Sequence, residues 1–445
     1  MEPLRGDEST VGETSVVTRG CRVESGTPRT VLDTGTRPRF AWATGSESIA
    51  ASGAAATVTA SGASRFADVQ AAATALFDRC DVPTDLPSVA RPRLFGGFAF
   101  HEGDTESTES PWDGFPGAAF FLPEVQVTRT DGGTWLTTTG TGPTAAADAD
   151  QRLDEWADRL ADVPESAPRG PPGVESRERT PSQATWRDQV GAALESVEDG
   201  NLQKVVLAQA LHVRLRADLS VPDVLDRLAV TYPDCYRFLL SPEDGGTFFG
   251  ATPERLVSLR GRTVRTEALA GSTGRGDTPA EDEWLAAELL DSEKDTHEHT
   301  LVADAIRDQL EPFASSVRIG DRTVRRLATV QHLRTSITAE LERDEHVLSL
   351  VEALHPTPAV GGLPPDEALR TIRETEAFDR GWYAAPIGWV DAAGNGTFAV
   401  GIRSAVAKGR LATLFAGAGI VADSDPDREW DEVQLKYRPM LDELE

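Results

Sequence analysis

Glu429, Glu432 and Lys436 stand at i, i+3 and i+7 in the segment "PDREWDEVQLKYRPML". If that segment is a helix, the three side chains share one face. Two carboxylates beside an ammonium can hold a hard cation and an anionic ligand together, although the same spacing also builds an ordinary salt-bridged surface. A Gly-rich bend, "FAGAG", leads into the segment and favours a site. "LLDSEKDTHEHTLVADAI" also has a helical pattern, with Asp295 and Glu298 one turn apart and an apolar face of Leu301, Val302 and Ile306. Oxygen ligands from two helices suit Mg²⁺, which takes one or two carboxylates, waters and the substrate. His297 and His299 flank Glu298, but side chains two apart on a helix diverge, so this is not the zinc motif H-E-x-x-H.

Glu254 follows a Thr-Pro corner in "FGATPERLVSL". Its apolar neighbours Phe249 and Leu256 could raise its pKa, as a general acid requires; an exposed turn glutamate is the plainer alternative. Gly417 and Gly419 lie in "FAGAG", and Gly271 lies in "ALAGSTGRG". Neither loop completes a dinucleotide fingerprint or has a P-loop lysine, but both can present backbone N–H groups to a carboxylate. The basic residues are almost all arginine. Lysine occurs only at Lys204, Lys294, Lys408 and Lys436. Arginine stays protonated near neutral pH while a lysine can lose its proton, so a retained lysine can mark chemistry that arginine cannot do.

These side chains need elements to hold them. "SQATWRDQVGAALESVEDGN" predicts a helix capped by Ser182, with Trp186, Val190, Ala193, Leu194 and Val197 on one face and Gly200-Asn201 at its end. "LQKVVLAQALHVRL" (202–215) reads as a long strand carrying Lys204. "DAAGNGTFAVGIRSAV" (391–406) turns at 394–396 and enters a strand, and "GRLATLFAGAGIV" (409–421) is the next strand. Short turns between strands imply antiparallel pairing and an α+β protein. The first ninety residues show weak periodicity. "RPRLFGGFAF" (91–100) reads as a buried strand whose glycine pair allows close backbone approach. Residues 163–181, rich in Pro, Gly and charge, read as an exposed linker or loop between an N-terminal region (1–162) and residues 182–445.

The 445 residues carry 72 Asp and Glu against 44 Lys and Arg, a net charge of −28 spread along the chain. Such a field disfavours nucleic acid and anionic membranes as partners. No apolar run approaches the ~18 residues of a membrane helix, and "MEPLRGDEST" has no signal-peptide pattern. Cys21, Cys80 and Cys235 are odd in number and widely spaced, which predicts neither a disulfide scaffold nor zinc and fits a reducing compartment. A diffuse, acidic, lysine-poor surface fits a salt-adapted cytoplasmic protein.

In order along residues 180–445, the motifs "LQKVVLAQ", "GATPERL", "ALAGSTGRG", "SEKDTHEH", "LHPTPAVGG", "GWYAAPIGW", "VGIRSA", "FAGAGIV" and "EWDEVQLK" resemble those of the chorismate-utilising enzymes. That family includes isochorismate synthases, salicylate synthases, anthranilate synthase component I and aminodeoxychorismate synthase component I. The N-terminal third matches chiefly at "LFGGFAF". The resemblance implies a duplicated α+β fold, with two large antiparallel sheets packed in an α/β/β/α arrangement and the N-terminal region completing it. It implies Lys204 as the base that activates water and Glu254 as the acid on the departing C4 hydroxyl. Glu298 and Glu432 match the Mg²⁺ ligands, and Arg403 and Lys436 match the carboxylate-binding cations. His332, in "VQHL", matches a pocket histidine, and Gly271, Ser272, Gly417 and Gly419 match an anion cradle. Lys204 would have to be neutral to act as base, and neighbouring cations would favour that state.

Within the family, Ala359 is the discriminating position. Aminating members resemble "PAGTVSGAPK", with Thr where this chain has Ala359; here Gly362 is followed by Leu363-Pro364 and the motif's lysine is absent. Ala359 implies water as nucleophile, isochorismate as product and no glutaminase partner. Salicylate synthase, an aminating synthase and an inactive ligand-binding relative are the alternatives. The product would feed menaquinone or siderophore synthesis, and either a monomer or a homodimer is compatible with the sequence.

Overall fold

A computed structural model describes residues 15–24, 26–102, 110–162 and 167–445. The segment "MEPLRGDEST" lies outside the described residues. Among those described, every strand pairing is antiparallel except that of Val16–Val23 with Cys80–Asp81. With helices alongside, this is the α+β class expected.

The strand Lys204–Leu215 pairs along one edge with Leu411–Ile420. Pairing then runs through Ser404–Lys408, Thr247–Thr252 and Tyr236–Ser241 to the N-terminal strand Arg39–Ala43. Glu47–Ala60 and Ala118–Thr130 follow, then Arg93–Phe98, which pairs with Pro386–Asp391. From there the ladder passes through Gly396–Val400, Arg255–Arg260 and Thr263–Gly274 to Val330–Leu341 and Ala314–Arg326. Strands from the first 130 residues therefore bridge two groups of strands from the rest of the chain.

The glycine pair Gly96-Gly97 explains one of these junctions. A Cβ on Gly96 would lie 1.9 Å from the Ala119 carbonyl oxygen, and one on Gly97 would lie 2.4 Å from that of Pro386. Behind this seam, Trp112 packs edge-on against Phe248 and stacks on Phe415, with ring centroids 5.2 Å apart in both cases. These rings back the strand Leu411–Ile420 that carries Gly417 and Gly419.

Two local expectations need correction. The weakly periodic first ninety residues contain regular strands, the longest being Glu47–Ala60. Its alanines carry little alternation, and its pairing with Ala118–Thr130 is too distant in sequence to read. The segment 163–181 is not loop throughout, because Val174–Thr180 is a strand paired with the C-terminal half of Lys204–Leu215. Four consecutive residues, Glu175 to Glu178, are exposed at a sheet edge, so its composition looked like that of a loop.

Candidate active site

Two capped helices bring the acidic residues together. Pro426–Leu441 begins with Asp425, whose carboxylate accepts from the N–H groups of Asp427 (3.1 Å) and Arg428 (3.0 Å). A cap of this kind is worth about 1 kcal/mol. It orients Glu429, Glu432 and Lys436 from the first turn onward. The second helix was expected to run unbroken through "LLDSEK", but it breaks at Ser292. That residue ends Pro279–Asp291 and caps Glu293–Leu310 by accepting from the Asp295 N–H at 3.2 Å. Side-chain capping there outcompetes continuation of the helix. The new helix starts where Asp295 and Glu298 can face Glu429 and Glu432.

A cavity of 420 Å³ lies between these helices and the sheet. Lys204, Glu254, Gly271, Ser272, Glu298, His332, Ala359, Arg403, Gly417, Gly419, Glu432 and Lys436 all line it, so every predicted site residue converges there. Lys294, Asp295, Tyr383, Phe415 and Glu429 also line it. Three of the four lysines are therefore in one cavity. Lys294 and Tyr383 were not singled out from sequence. The scarcity of lysine was a usable signal for Lys294; nothing marked Tyr383, which stacks on Phe415 with ring centroids 5.3 Å apart.

Each of the three ammonium groups pairs with a carboxylate. Lys204 donates to Glu298 at 2.7 Å, Lys294 to Glu429 at 3.2 Å and Lys436 to Glu432 at 2.6 Å. The charged group that Lys204 touches is Glu298, while Lys294, Arg403 and Lys436 line the same cavity. Gly419 makes this pair possible, since a Cβ there would lie 2.8 Å from Lys204 Cε and 2.9 Å from Glu298 Oε1. Lys436 also donates to the Gly417 carbonyl at 2.8 Å.

The carboxylates influence one another. Burial and the neighbouring Glu432 push the Glu429 carboxyl up. Burial opposes ionisation of Glu432 too, but the Lys436 ammonium together with Glu429 and Lys294 holds this carboxyl below its usual range. Burial also raises Asp295, with Glu298 adding to the effect. Carboxylates crowded around one cavity are the donor chemistry a hard cation satisfies. Among the described residues no three His, Cys, Asp or Glu side chains converge as a ready-made metal site. One or two of these carboxylates, with substrate and water completing the shell, would suit Mg²⁺. His299 turns away to Ala270 O and Thr335, consistent with the divergence of two residues on a helix.

Glu254 is 4% exposed, and Thr357 donates to its Oε1 at 3.4 Å. Burial, reinforced by the Glu267 carboxylate, pushes its carboxyl up to about 7. A buried carboxyl half-protonated near neutrality is suited to proton donation.

Arg403 and His332 form the anion-binding end. Arg403 is buried, has φ of 50°, and lies 3.3 Å from His332 Nε2 through Nη2. Its Nε is buried without a hydrogen-bond partner, and the residue lines a cavity where an anion could satisfy that donor. His332 Nδ1 lies 2.8 Å from Ser272 Oγ. Burial and the adjacent Arg403 hold this imidazole well below its usual pKa, and so neutral. Gly271 has φ of +74° and a Cβ there would lie 3.1 Å from Asp295 Cβ, so both backbone conformation and space favour glycine. Val206 and Ala208 direct their N–H groups to Gly361 and Glu376 at the other edge of their strand. Their ladder partners Gly419 and Gly417 thus direct backbone groups outward, toward the C-terminal helix.

An antiparallel α+β fold has gathered a buried glutamate, paired lysines and a carboxylate cluster around one cavity, which is the make-up of an enzyme site. The profile of the chorismate binding enzyme family matches residues 8–445, and the chain belongs to that family. It is 40% identical over 364 residues to the salicylate biosynthesis isochorismate synthase of Pseudomonas aeruginosa, covering 79% of this chain and 74% of that protein. It is 38% identical over 360 residues to isochorismate synthase MenF of Bacillus subtilis, covering 80% and 75%. The menaquinone-specific isochorismate synthase MenF of Escherichia coli superposes with a TM-score of 0.81 at 26% identity, over 97% of this chain and 95% of that one.

Proposed function

We propose that this protein is an isochorismate synthase, converting chorismate to isochorismate by attack of water at C2 and departure of the C4 hydroxyl. The observation that carries the reading is the convergence of Lys204, Glu254 and Ala359 on one cavity with the unpartnered Nε of Arg403. Identity of 35–40% over most of the chain to several isochorismate synthases supports it.

Chorismate is a dicarboxylate, and the surrounding chain is strongly negative. Arg403 and Lys436 supply local positive charge, with charge-assisted hydrogen bonds to the substrate. Neutral His332, held by Ser272, keeps Arg403 in place without adding a second charge. Hydroxide is a poor leaving group, so Glu254 delivers a proton to the C4 oxygen. Lys204 removes a proton from the attacking water, and each such group contributes about 10²–10⁴-fold. One water enters, one leaves, and the net change is isomerisation. Glu298 and Glu432 would hold Mg²⁺, whose charge would orient the ring carboxylate and offset charge developing there. The N–H groups near Gly271-Ser272 and Gly417-Gly419 add donors for the substrate's anionic end.

Ala359 leaves its position on the cavity wall small, and no hydroxyl projects from it; this supports water as nucleophile and a protein working without a glutaminase. Residues 1–162 are read as completing this fold, 163–181 as the connection and 182–445 as the catalytic region. Among the described residues no helix is long and apolar enough to cross a membrane; a cytoplasmic, salt-tolerant enzyme is the reading we draw from composition. The test is product analysis of the purified protein with chorismate and Mg²⁺, with and without ammonium. Isochorismate in both reactions is expected. An aminated product, or salicylate with pyruvate, would replace this reading by the corresponding synthase.

A further inference from the structure

One edge of the strand Lys204–Leu215 has a gap. Gly362–Leu363 pairs with Val205 and Lys204, and Val174–Thr180 pairs from Ala210 onward. Among the described residues no strand covers Val206 to Gln209 on that side. Two side chains from the turn after the helix Pro365–Thr375 fill the space. Arg380 Nη2 donates to the Val206 carbonyl at 2.7 Å, and Glu376 Oε1 accepts from the Ala208 N–H at 2.8 Å. Arg380 Nε donates to Glu376 Oε2 at 2.8 Å, and Arg380 Nη1 reaches across to the Val360 carbonyl, also at 2.8 Å. Next to it, the Val206 N–H donates to the Gly361 carbonyl at 2.8 Å.

The side chains of Arg380 and Glu376 are 1% and 4% exposed, and neither lines the cavity. A buried ion pair is weak evidence for stability, since desolvation of both charges offsets their attraction. Its connections are more informative. It joins the strand that begins with Lys204 to the turn Thr357–Gly361, which carries Ala359 and whose Thr357 touches Glu254.

We propose that Arg380, oriented by Glu376, is a positioning residue that locks the Ala359 turn onto the Lys204 strand and so fixes the nucleophile's path between base and acid. This rests on the isochorismate synthase reading. Arg380 acts through Val206 and Val360 and does not touch substrate. Its fork meets two carbonyls and a carboxylate at once, which the single ammonium of lysine cannot reproduce.

The double variant Glu376→Leu/Arg380→Met removes both charges and leaves apolar side chains of similar length, a replacement that buried ion pairs often tolerate. Arg380→Lys keeps the charge without the fork. Both should lose about tenfold to a hundredfold in kcat, with KM for chorismate changed less than about threefold, because misplacement of reacting groups is costly. Hydrogen exchange should quicken in peptides covering 203–209 and 357–362 and stay unchanged elsewhere. A folded variant with kcat within about twofold of wild type, or with its whole loss in KM, overturns the proposal. Where the double variant does not fold, Arg380→Lys decides by the same criteria. If wild type makes no isochorismate, the functional reading fails; unchanged exchange at 203–209 and 357–362 would then separately overturn the clamp.

Discussion

Lys204 and Glu298 form an ion pair at 2.7 Å, with the bare backbone of Gly419 as the surface it rests against. The proposed base and a proposed metal ligand thus hold each other, and neither has room for a side chain beside it. Lys204→Ala should reduce kcat by about 10²-fold or more, as loss of a general base does, with KM for chorismate little changed. Gly419→Ala should approach that loss by displacing both partners while the melting temperature stays near wild type. Steady-state kinetics with thermal melts check both, and unchanged turnover in Lys204→Ala would remove it from the role of base.

Glu254 supplies a pH signature. It acts protonated, and burial with the Glu267 carboxylate lifts it to about 7. Activity limited by this group should be full below that value and decline as pH rises through it. Arg334 and Arg325 bind Glu267 at 2.5 and 3.3 Å. Glu267→Gln removes the repulsion, so the alkaline limb of the kcat/KM profile should move to lower pH. A limb that stays in place or moves upward contradicts this electrostatic account.

Ala359 faces the cavity from a turn tied at Val360 and Gly361. Ala359→Thr adds a hydroxyl and a methyl to the approach path. The outcome we expect is a fall in isochorismate formation of about tenfold, as for a misplaced nucleophile. Any aminated product formed with ammonium would locate nucleophile choice at this residue. Wild-type rates with water alone would show that the wall at 359 is not part of the path.

Glu432 answers to Lys436 at 2.6 Å and crowds Glu429. Glu432→Gln keeps the shape and removes an anionic oxygen donor. The Mg²⁺ concentration giving half-maximal rate should rise by about tenfold or more, in line with the weight of a charged ligand in such sites. Chelation of divalent cations should stop wild-type turnover, and addition of Mg²⁺ should restore it. An unaltered Mg²⁺ dependence in the variant would exclude Glu432 as a ligand.

The site was more legible in the sequence than the scaffold. Glu429, Glu432 and Lys436 could be grouped, and separately Asp295 with Glu298, because helical spacing is local, whereas the roles of Lys204, Glu254, Glu298 and Glu432 came from the resemblance to the chorismate-utilising enzymes. The break at Ser292 was missed because its cap competes with an otherwise unbroken helical pattern. The pairing of Glu47–Ala60 with Ala118–Thr130 was missed because an alanine-rich strand shows little alternation and its partner lies far along the chain. Arg380 and Glu376 were invisible for a related reason: an i, i+4 Glu–Arg pair normally reads as a solvated helix face. Only the tertiary structure shows that this one is buried against a sheet edge.

The confinement of three lysines to one cavity also governs the molecule's behaviour toward amine-directed reagents. Outside the cavity the only lysine is Lys408, whose side chain is 69% exposed. Acylating labels would therefore find a single open side-chain handle, far fewer than on an ordinary protein of this size. Further incorporation would report on Lys294, Lys436 and Lys204, which are 36%, 17% and 1% exposed. Occupancy of the cavity could then be followed by counting the amines that remain shielded.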